Sequence, residues 1–163
     1  MILDGRGTPE RGKAFQDVAY GDFGEHEIPD HVTALQQLAA DRPYMDRTRV
    51  GIFGGSFGGY MTVRAMLTAS DVYRVGVEMA PLYEMNDLPA YMELYMNTPE
   101  NNPNGYEAAS CLHLASKLEG KLLIIHGTSD VNAPVAGTIK MLSALIAAGK
   151  YVDLIVLFQS PCI

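Results

Sequence analysis

The sequence lacks several features that would assign it to a common class of protein. Lysine and arginine total 12 against 19 aspartates and glutamates, which gives a net charge of −7, and no Lys/Arg cluster interrupts that balance. This charge argues against nucleic acid as the main partner. The two cysteines, Cys111 and Cys162, have neither metal-ligand spacing nor the number that a framework of disulfide bonds requires. We therefore expect no metal centre.

Long hydrophobic runs and a leader segment are also missing. No apolar run is long enough to span a membrane, and the first residues enter a Gly-rich loop directly, without a signal peptide. We expect a soluble chain and leave its compartment open, since a longer parent could be cytoplasmic or periplasmic. Ile2-Leu3-Asp4 has the pattern of the end of a strand. We expect an exposed sheet edge there, through which the chain could form homodimers or aggregates.

Short apolar strands alternate with helical segments along the rest of the chain. Strands are predicted at 49–53, 75–79, 121–125 and 151–157, and helices at 28–40, 57–69, 108–118 and 133–148. Residues 11–24 are predicted to be mostly irregular, and the Asn- and Pro-rich segment 97–106 to be a loop. The alternation predicts an α/β protein of one domain, with a mostly parallel sheet and helices on both faces.

The most informative stretch is Gly54-Gly55-Ser56-Phe57-Gly58-Gly59, between a predicted strand and a predicted helix. A G-x-S-x-G turn in that context is typical of a nucleophile elbow, in which a strained turn exposes a serine hydroxyl. The neighbouring positions need small residues because strand and helix pack closely there. A nucleotide-binding loop is the alternative, but neither G-x-G-x-x-G nor G-x-x-x-x-G-K-[ST] is present at this turn.

A second candidate, Asp130, follows the predicted strand 121–125 in the loop His126-Gly127-Thr128-Ser129-Asp130. Functional side chains collect at the carboxyl ends of parallel strands. In hydrolases with this elbow the acid follows the serine in sequence, and the histidine follows the acid. Asp130 is therefore the candidate acid, and its alternative role is to cap the helix that begins near Ala133.

The base is the missing part of this arrangement. The histidines are His26, His31, His113 and His126, and none of them follows Asp130. His126 immediately precedes the loop of the acid, and we interpret it as structural. Because a serine hydroxyl needs a positioned histidine to take its proton, the order of residues predicts an incomplete triad.

These motifs together resemble the catalytic domain of the prolyl oligopeptidase family of serine peptidases, in its dipeptidyl-peptidase-type branch. The matching stretches are Asp4-Gly5-Arg6-Gly7-Thr8, Phe23-Gly24, Gly54-Gly55-Ser56-Phe57-Gly58-Gly59-Tyr60, Ala80-Pro81, Tyr91-Met92-Glu93-Leu94-Tyr95-Met96 and His126-Gly127-Thr128-Ser129-Asp130-Val131-Asn132. The resemblance implies an α/β-hydrolase fold that cleaves short peptides after proline or alanine, without a cofactor. It makes Ser56 the nucleophile, Asp130 the triad acid and the N–H of Phe57 an oxyanion donor.

The resemblance also implies a substrate pocket. Tyr91 would line the pocket for the residue before the scissile bond, with the Phe57 ring and Ala133 as further walls. Asn132 would hydrogen-bond a substrate carbonyl. Flat aromatic walls suit the compact apolar ring of proline.

The sequence departs from the family pattern at both ends. After Leu157 the match is lost, and Cys162 stands about where the family has its histidine. The upstream strands, a tyrosine that supplies the second oxyanion donor, and the N-terminal β-propeller have no counterpart. We expect residues 1–163 to be a partial α/β-hydrolase catalytic domain with little or no triad activity. A carboxylesterase of the same fold and a non-catalytic interaction fragment remain as alternatives.

Overall fold

The centre of the molecule is a sheet of four parallel strands, seen in a computed structural model that describes residues 2–159. The strands are β1 (Val50–Gly55), β2 (Tyr73–Met79), β3 (Lys121–Gly127) and β4 (Asp153–Leu157), and their order in the sheet is their order in the chain. Each pair is parallel, so every connection crosses over the sheet. The α/β class, the parallel sheet and the four predicted strands are confirmed.

Helices precede β1 and occupy the connections between the strands. The α-helices are α1 (Lys13–Gln16), α2 (Glu27–Ala40), α3 (Phe57–Thr68), α4 (Pro89–Met96), α5 (Pro103–Ala109) and α6 (Val135–Ala147), and 3₁₀ helices cover Asp17–Ala19, Met85–Asp87 and Leu112–Lys117. The predicted helices at 28–40, 57–69 and 133–148 are confirmed as α2, α3 and α6. Their apolar periodicity was sufficient to locate them.

Two predictions between β2 and β3 are wrong. The loop predicted at 97–106 contains the start of α5, because the Asn102 side chain accepts a hydrogen bond from the N–H of Gly105 at 3.2 Å and Pro103 occupies the first helical position. The helix predicted at 108–118 is broken at Ser110, whose backbone is extended. There the N–H of Cys111 donates to the Tyr83 carbonyl at 2.9 Å, which draws the chain onto the loop after β2.

The core lies on one face of the sheet. Gly76 and Glu78 of β2 and the alternate residues of β3 point into it and are buried. Helix α3 packs there, with eight of its residues buried. Gly76 is needed for this contact, because a Cβ at that position would lie 2.9 Å from Met66 Cγ. The carboxyl end of β1, where α3 begins, is thereby held rigidly against β2.

The sheet has two edge strands among the described residues, β1, which pairs with β2, and β4, which pairs with β3. Phe53 on β1 is 83% exposed, and a groove of about 670 Å³ lies beside β1. The strand end expected at Ile2-Leu3-Asp4 is wrong, since residues 2–4 form no strand. The reason is that the adjoining Arg6 is tied to α2, where its backbone N–H and guanidinium both bond Asp30.

Candidate active site

Ser56 occupies a strained turn between β1 and α3. Its backbone angles, φ 54° and ψ −123°, are unusual for a residue with a side chain. The turn is anchored to β2 because the Ser56 N–H donates to the Met79 carbonyl at 2.8 Å. The residue is exposed. This strand–turn–helix geometry is that of a nucleophile elbow.

The glycines of the turn differ in what requires them. A Cβ on Gly54 would lie 2.3 Å from the Gly58 carbonyl oxygen, and one on Gly59 would lie 3.0 Å from the Met79 carbonyl oxygen. Both distances are closer than van der Waals contact, so these two positions must lack a side chain for strand and helix to meet. At Gly58 an added Cβ would meet nothing within 4 Å. The close packing of strand and helix therefore requires glycine at positions 54 and 59 and does not require it at position 58.

Phe57 begins α3, directly after Ser56. The backbone N–H groups of the first helical turn have no acceptor within their helix, and the helix dipole favours negative charge near them. The Phe57 N–H is therefore suited to stabilise the oxyanion that forms on a carbonyl attacked by Ser56 Oγ. Its role as an oxyanion donor stays a prediction.

Asp130 and Ser56 both follow the carboxyl ends of parallel strands and lie at the same end of the sheet. β1 and β3 are separated by β2, and neighbouring strands are spaced by about 4.8 Å. Asp130 Oδ1 accepts the N–H groups of Asn132 and Ala133, both at 2.9 Å. Helix α6 begins only at Val135, so the carboxylate organises its own loop and does not cap the helix.

The chain after β4 runs beside the loop of the acid. The Thr128 N–H donates to the Leu157 carbonyl at 3.0 Å, and the Gln159 N–H donates to Thr128 Oγ1 at 3.0 Å. Cys162, which the sequence aligns with the family's histidine, lies outside the described residues.

The four histidines either contact groups other than Ser56 or lie in helices away from the turn that carries it. The His126 ring is fully buried, with Nδ1 at 2.6 Å from Thr138 Oγ1 and Nε2 at 2.7 Å from the Ala133 carbonyl. His26 faces Asp22 at 3.7 Å. His31 lies in α2 and His113 in a 3₁₀ helix. Within residues 2–159 no histidine makes a hydrogen bond to the Ser56 hydroxyl.

An aromatic cavity of about 380 Å³ lies next to the elbow. Phe57 and Tyr91, which the sequence assigns to the substrate pocket, both line it. Two residues that the sequence did not assign join them. Phe23 packs edge-on against Phe57, with their ring centroids 4.9 Å apart. The ring centroids of Tyr95 and Tyr91 are 5.6 Å apart. The Tyr-x-x-x-Tyr spacing, one helical turn on α4, was the available signal for Tyr95.

Asn132 and Ala133 do not line this cavity. Asn132 is exposed, whereas Ala133 is buried with its carbonyl held by His126. The hydrogen bond of Asn132 with a substrate carbonyl and the place of Ala133 in the pocket wall stay predictions.

Within residues 2–159 no group of three or more His, Cys, Asp or Glu side chains is arranged to hold a metal ion. Over the same residues, no helix combines the length and hydropathy needed to cross a bilayer.

Comparison with known proteins identifies the relatives of this site. The family model described as the prolyl oligopeptidase family matches residues 1–160. Dipeptidyl peptidase 8 of Mus musculus and of Homo sapiens is 38% identical over 159 residues, which are 94% of this chain and 18% of that protein. The crystal structure of Porphyromonas gingivalis dipeptidyl peptidase 4 superposes with a TM-score of 0.89 at 32% identity, covering 97% of this chain and 22% of that chain.

The matched region includes the elbow, helix α4 with Tyr91 and Tyr95, and the loop that carries Asp130. It spans about a fifth of the length of these relatives. The fold predicted from the sequence, an α/β-hydrolase domain, is confirmed by the superposition. The chain therefore belongs to the prolyl oligopeptidase family of serine peptidases, among its dipeptidyl-peptidase-type members.

Proposed function

We propose that this chain carries the nucleophile, the acid and part of the substrate pocket of a peptidase that cleaves short peptides after proline or alanine. The observation that carries the proposal is the backbone of Ser56, which holds a non-glycine residue at φ 54° beside the start of α3. Such strain is retained where it presents a nucleophile. The names of the relatives, dipeptidyl peptidases, support the substrate class.

The chemistry divides into two steps at Ser56. Its oxygen attacks the scissile carbonyl, the Phe57 N–H stabilises the oxyanion, and the amine leaves to give an acyl-enzyme. Water then releases the acyl group. Asp130 would orient the histidine that moves the proton in both steps, a base that none of the four described histidines supplies.

The substrate pocket supports a small apolar residue before the scissile bond. Phe57, Tyr91 and Tyr95 present aromatic rings to the cavity beside Ser56. A proline ring packs against such faces without a rotamer cost, since its own ring is already closed. Asn132 and Ala133, at the edge of the acid's loop, would orient the substrate backbone.

None of the four histidines in the described region supplies the base that would take the proton of Ser56. We propose that triad activity of this chain is therefore small. Loss of one triad member typically removes several orders of magnitude in rate and leaves only oxyanion stabilisation and binding.

The test is covalent labelling with a fluorophosphonate, followed by digestion and mass spectrometry. The expected adduct is on Ser56 and accumulates slowly, and the Ser56→Ala chain should acquire none at the corresponding peptide. An adduct confined to any other residue would overturn the assignment of the nucleophile. Rapid, stoichiometric labelling of Ser56 would overturn the proposed low activity.

A carboxylesterase of the same fold would differ in substrate. A peptidase of the proposed class turns over a Gly-Pro anilide, whereas an esterase prefers a simple aryl ester. Any hydrolysis by the wild-type chain that is lost in Ser56→Ala should favour the anilide. Ester turnover alone would favour the esterase.

A second, non-catalytic function is favoured by the open edge at β1. Unpaired strand edges form hydrogen bonds with other chains, and Phe53 there is 83% exposed. Sedimentation at several concentrations should then show a dimer or larger species, and Phe53→Lys should shift the population toward monomer. A wild-type chain that remains monomeric throughout would exclude this association.

A further inference from the structure

The wall of the aromatic cavity contains one ring that comes from outside helices α3 and α4. Phe57 lies on α3, and Tyr91 and Tyr95 lie on α4, whereas Phe23 belongs to the turn that precedes α2. Its side chain is buried, and only 8% of the residue is exposed. The shape of the cavity therefore depends on a segment that carries none of the proposed catalytic residues.

The Phe23 ring lies between the two helices of the cavity. Its centroid is 4.9 Å from that of Phe57, at an interplanar angle of 67°, and 6.2 Å from that of Tyr95, at an angle of 43°. Both separations lie in the range in which aromatic rings attract one another. The ring is therefore a support between α3 and α4, and it contacts the side chain of the residue that follows Ser56.

The backbone around Phe23 is fixed to α3. The Tyr60 hydroxyl lies 3.2 Å from the Phe23 carbonyl oxygen, and the buried Arg64 guanidinium donates to Glu25 Oε1 at 2.8 Å. Gly24 has a φ of 90°, and a Cβ on it would lie 2.7 Å from Arg64 Nε. The turn thus fits closely against α3, and the Phe23 ring can leave the cavity only if these contacts break.

The same segment is also fixed to α4. The Gly21 N–H donates to the Tyr95 carbonyl at 2.8 Å, and Asn102 Nδ2 donates to the Gly21 carbonyl at 2.9 Å. Gly21 lies two residues before Phe23, so the ring has backbone anchors on both sides of it in the chain. The space that this ring occupies is therefore not open to a substrate side chain.

The charged side chains on the cavity wall, Arg6 and Glu27, have partners of their own. The Arg6 guanidinium is paired with Asp30 at 2.6 Å, and Glu27 Oε2 accepts the Gly24 N–H at 2.9 Å. Recognition in the cavity therefore relies on the aromatic rings and on shape, which suits an uncharged, apolar side chain.

We propose that Phe23 is a specificity-determining residue: its ring limits the depth of the aromatic cavity and restricts the residue before the scissile bond to the size of proline or alanine. A larger side chain meets the edge of a ring that its anchors hold in place. Without that ring, the space between Phe57 and Tyr95 admits a larger apolar side chain. The effect on cleavage rests on the proposed peptidase function, whereas the binding preference does not.

The test compares the binding of glycyl-proline amide and glycyl-phenylalanine amide, by NMR titration of the Phe57 and Tyr95 amides in the full chain. All measurements use a Ser56→Ala background, which prevents turnover. Without a further change the chain should bind the proline amide at least about tenfold more tightly. With Phe23→Ala added, the ratio of the two dissociation constants should move by at least about tenfold in favour of the phenylalanine amide.

Two further variants keep this comparison interpretable. Phe15→Ala removes a half-buried ring that lies outside the cavity and should leave the ratio unchanged. Phe23→Leu keeps most of the apolar volume, so it should fold even where Phe23→Ala does not, and it should move the ratio in the same direction by a smaller factor. An unchanged ratio in the folded Phe23 variants would overturn the proposal, as would equal binding of the two amides without a change at Phe23.

Covalent labelling separates this proposal from the peptidase function. Diphenyl phosphonates that mimic the two dipeptides should label Ser56 faster with the proline probe in the wild type, and Phe23→Ala should invert that order. If neither probe labels Ser56 while the binding ratio moves as expected, the peptidase function fails and the role of Phe23 stands. If Ser56 is labelled with the same preference in the wild type and in Phe23→Ala, the role of Phe23 is overturned and the nucleophile stands.

Discussion

Replacing Glu78 by glutamine should remove a pH dependence from the stability of the whole domain. The side chain is fully buried, and burial raises its pKa from 4.5 to about 8. Between those two values the folded protein keeps a proton that the unfolded chain has released. Stability from this group is therefore fully present below the unfolded pKa and is lost as pH rises toward the folded one.

The size of the effect follows from the two pKa values. Each pH unit between them costs about 1.4 kcal/mol of unfolding free energy. From about pH 5.5 to about pH 8.5 the wild type should lose about 3 kcal/mol through Glu78 alone. Glutamine is nearly the same shape, cannot titrate, and can still accept from the Tyr83 hydroxyl through its Oε1. The difference in stability between Glu78→Gln and the wild type should therefore grow by about 3 kcal/mol across this range.

Urea denaturation followed by circular dichroism at several pH values measures this difference directly. All other titrating groups are shared by the two chains and cancel in the comparison. Glu84→Gln removes a carboxylate of lower burial nearby and should follow the wild-type curve. Parallel curves for the wild type and Glu78→Gln would show that Glu78 ionises normally, which would refute the raised pKa of its buried carboxyl group.

Three further substitutions or reactions test the packing around the elbow and core. Gly54→Ala should lower the unfolding free energy by about 3 kcal/mol or more, because the added Cβ would lie 2.3 Å from a backbone oxygen. Gly58→Ala should be neutral or should raise the unfolding free energy by up to about 1 kcal/mol. Thermal melts of the two variants measure this difference. Tyr60→Phe should lower the unfolding free energy by about 1–2 kcal/mol in urea titrations, since the single proton of the buried hydroxyl is shared between the Phe23 and Ala109 carbonyls, at 3.2 and 3.0 Å. Cys111 is buried and burial raises its pKa, so in a Cys162→Ser chain it should react with thiol reagents only after unfolding; rapid reaction of the native chain would contradict its placement.

The elbow could be predicted from the sequence because its requirements are local. A serine at positive φ, a glycine against a backbone oxygen and an adjacent helix start all fall within six residues. Hydrophobic periodicity likewise located the four strands and the three longest helices. In these segments tertiary packing and local preference favour the same conformation.

The errors arose where a distant contact decides the local structure. The break at Ser110 depends on a bond between Cys111 and Tyr83, and the irregular start of the chain depends on a bond between Arg6 and Asp30. Neither contact leaves a periodic pattern. The start of α5 is a different case, since Asn102 and Pro103 were a recognisable cap that the asparagine-rich composition concealed.

The burial of Glu78 was also missed, although one signal was present. Glu78 lies within an apolar parallel strand, where an acid has to be either paired or protonated. Its hydrogen-bond partner, Tyr83, comes from the loop after β2, so the identity of that partner required the structure. The same holds for Phe23, which reaches the aromatic cavity from a segment without regular spacing.

The central claim is that Ser56 is the nucleophile and that no base for it lies within residues 2–159. The most direct measurement is the rate of fluorophosphonate labelling at Ser56 in the wild type, in Cys162→His and in the control Cys162→Ser. An imidazole at position 162, where the family has its histidine, should accelerate labelling by about a hundredfold or more, and the serine should not. Equal rates in all three chains would contradict the claim, and so would a wild type that already labels at the rate of Cys162→His.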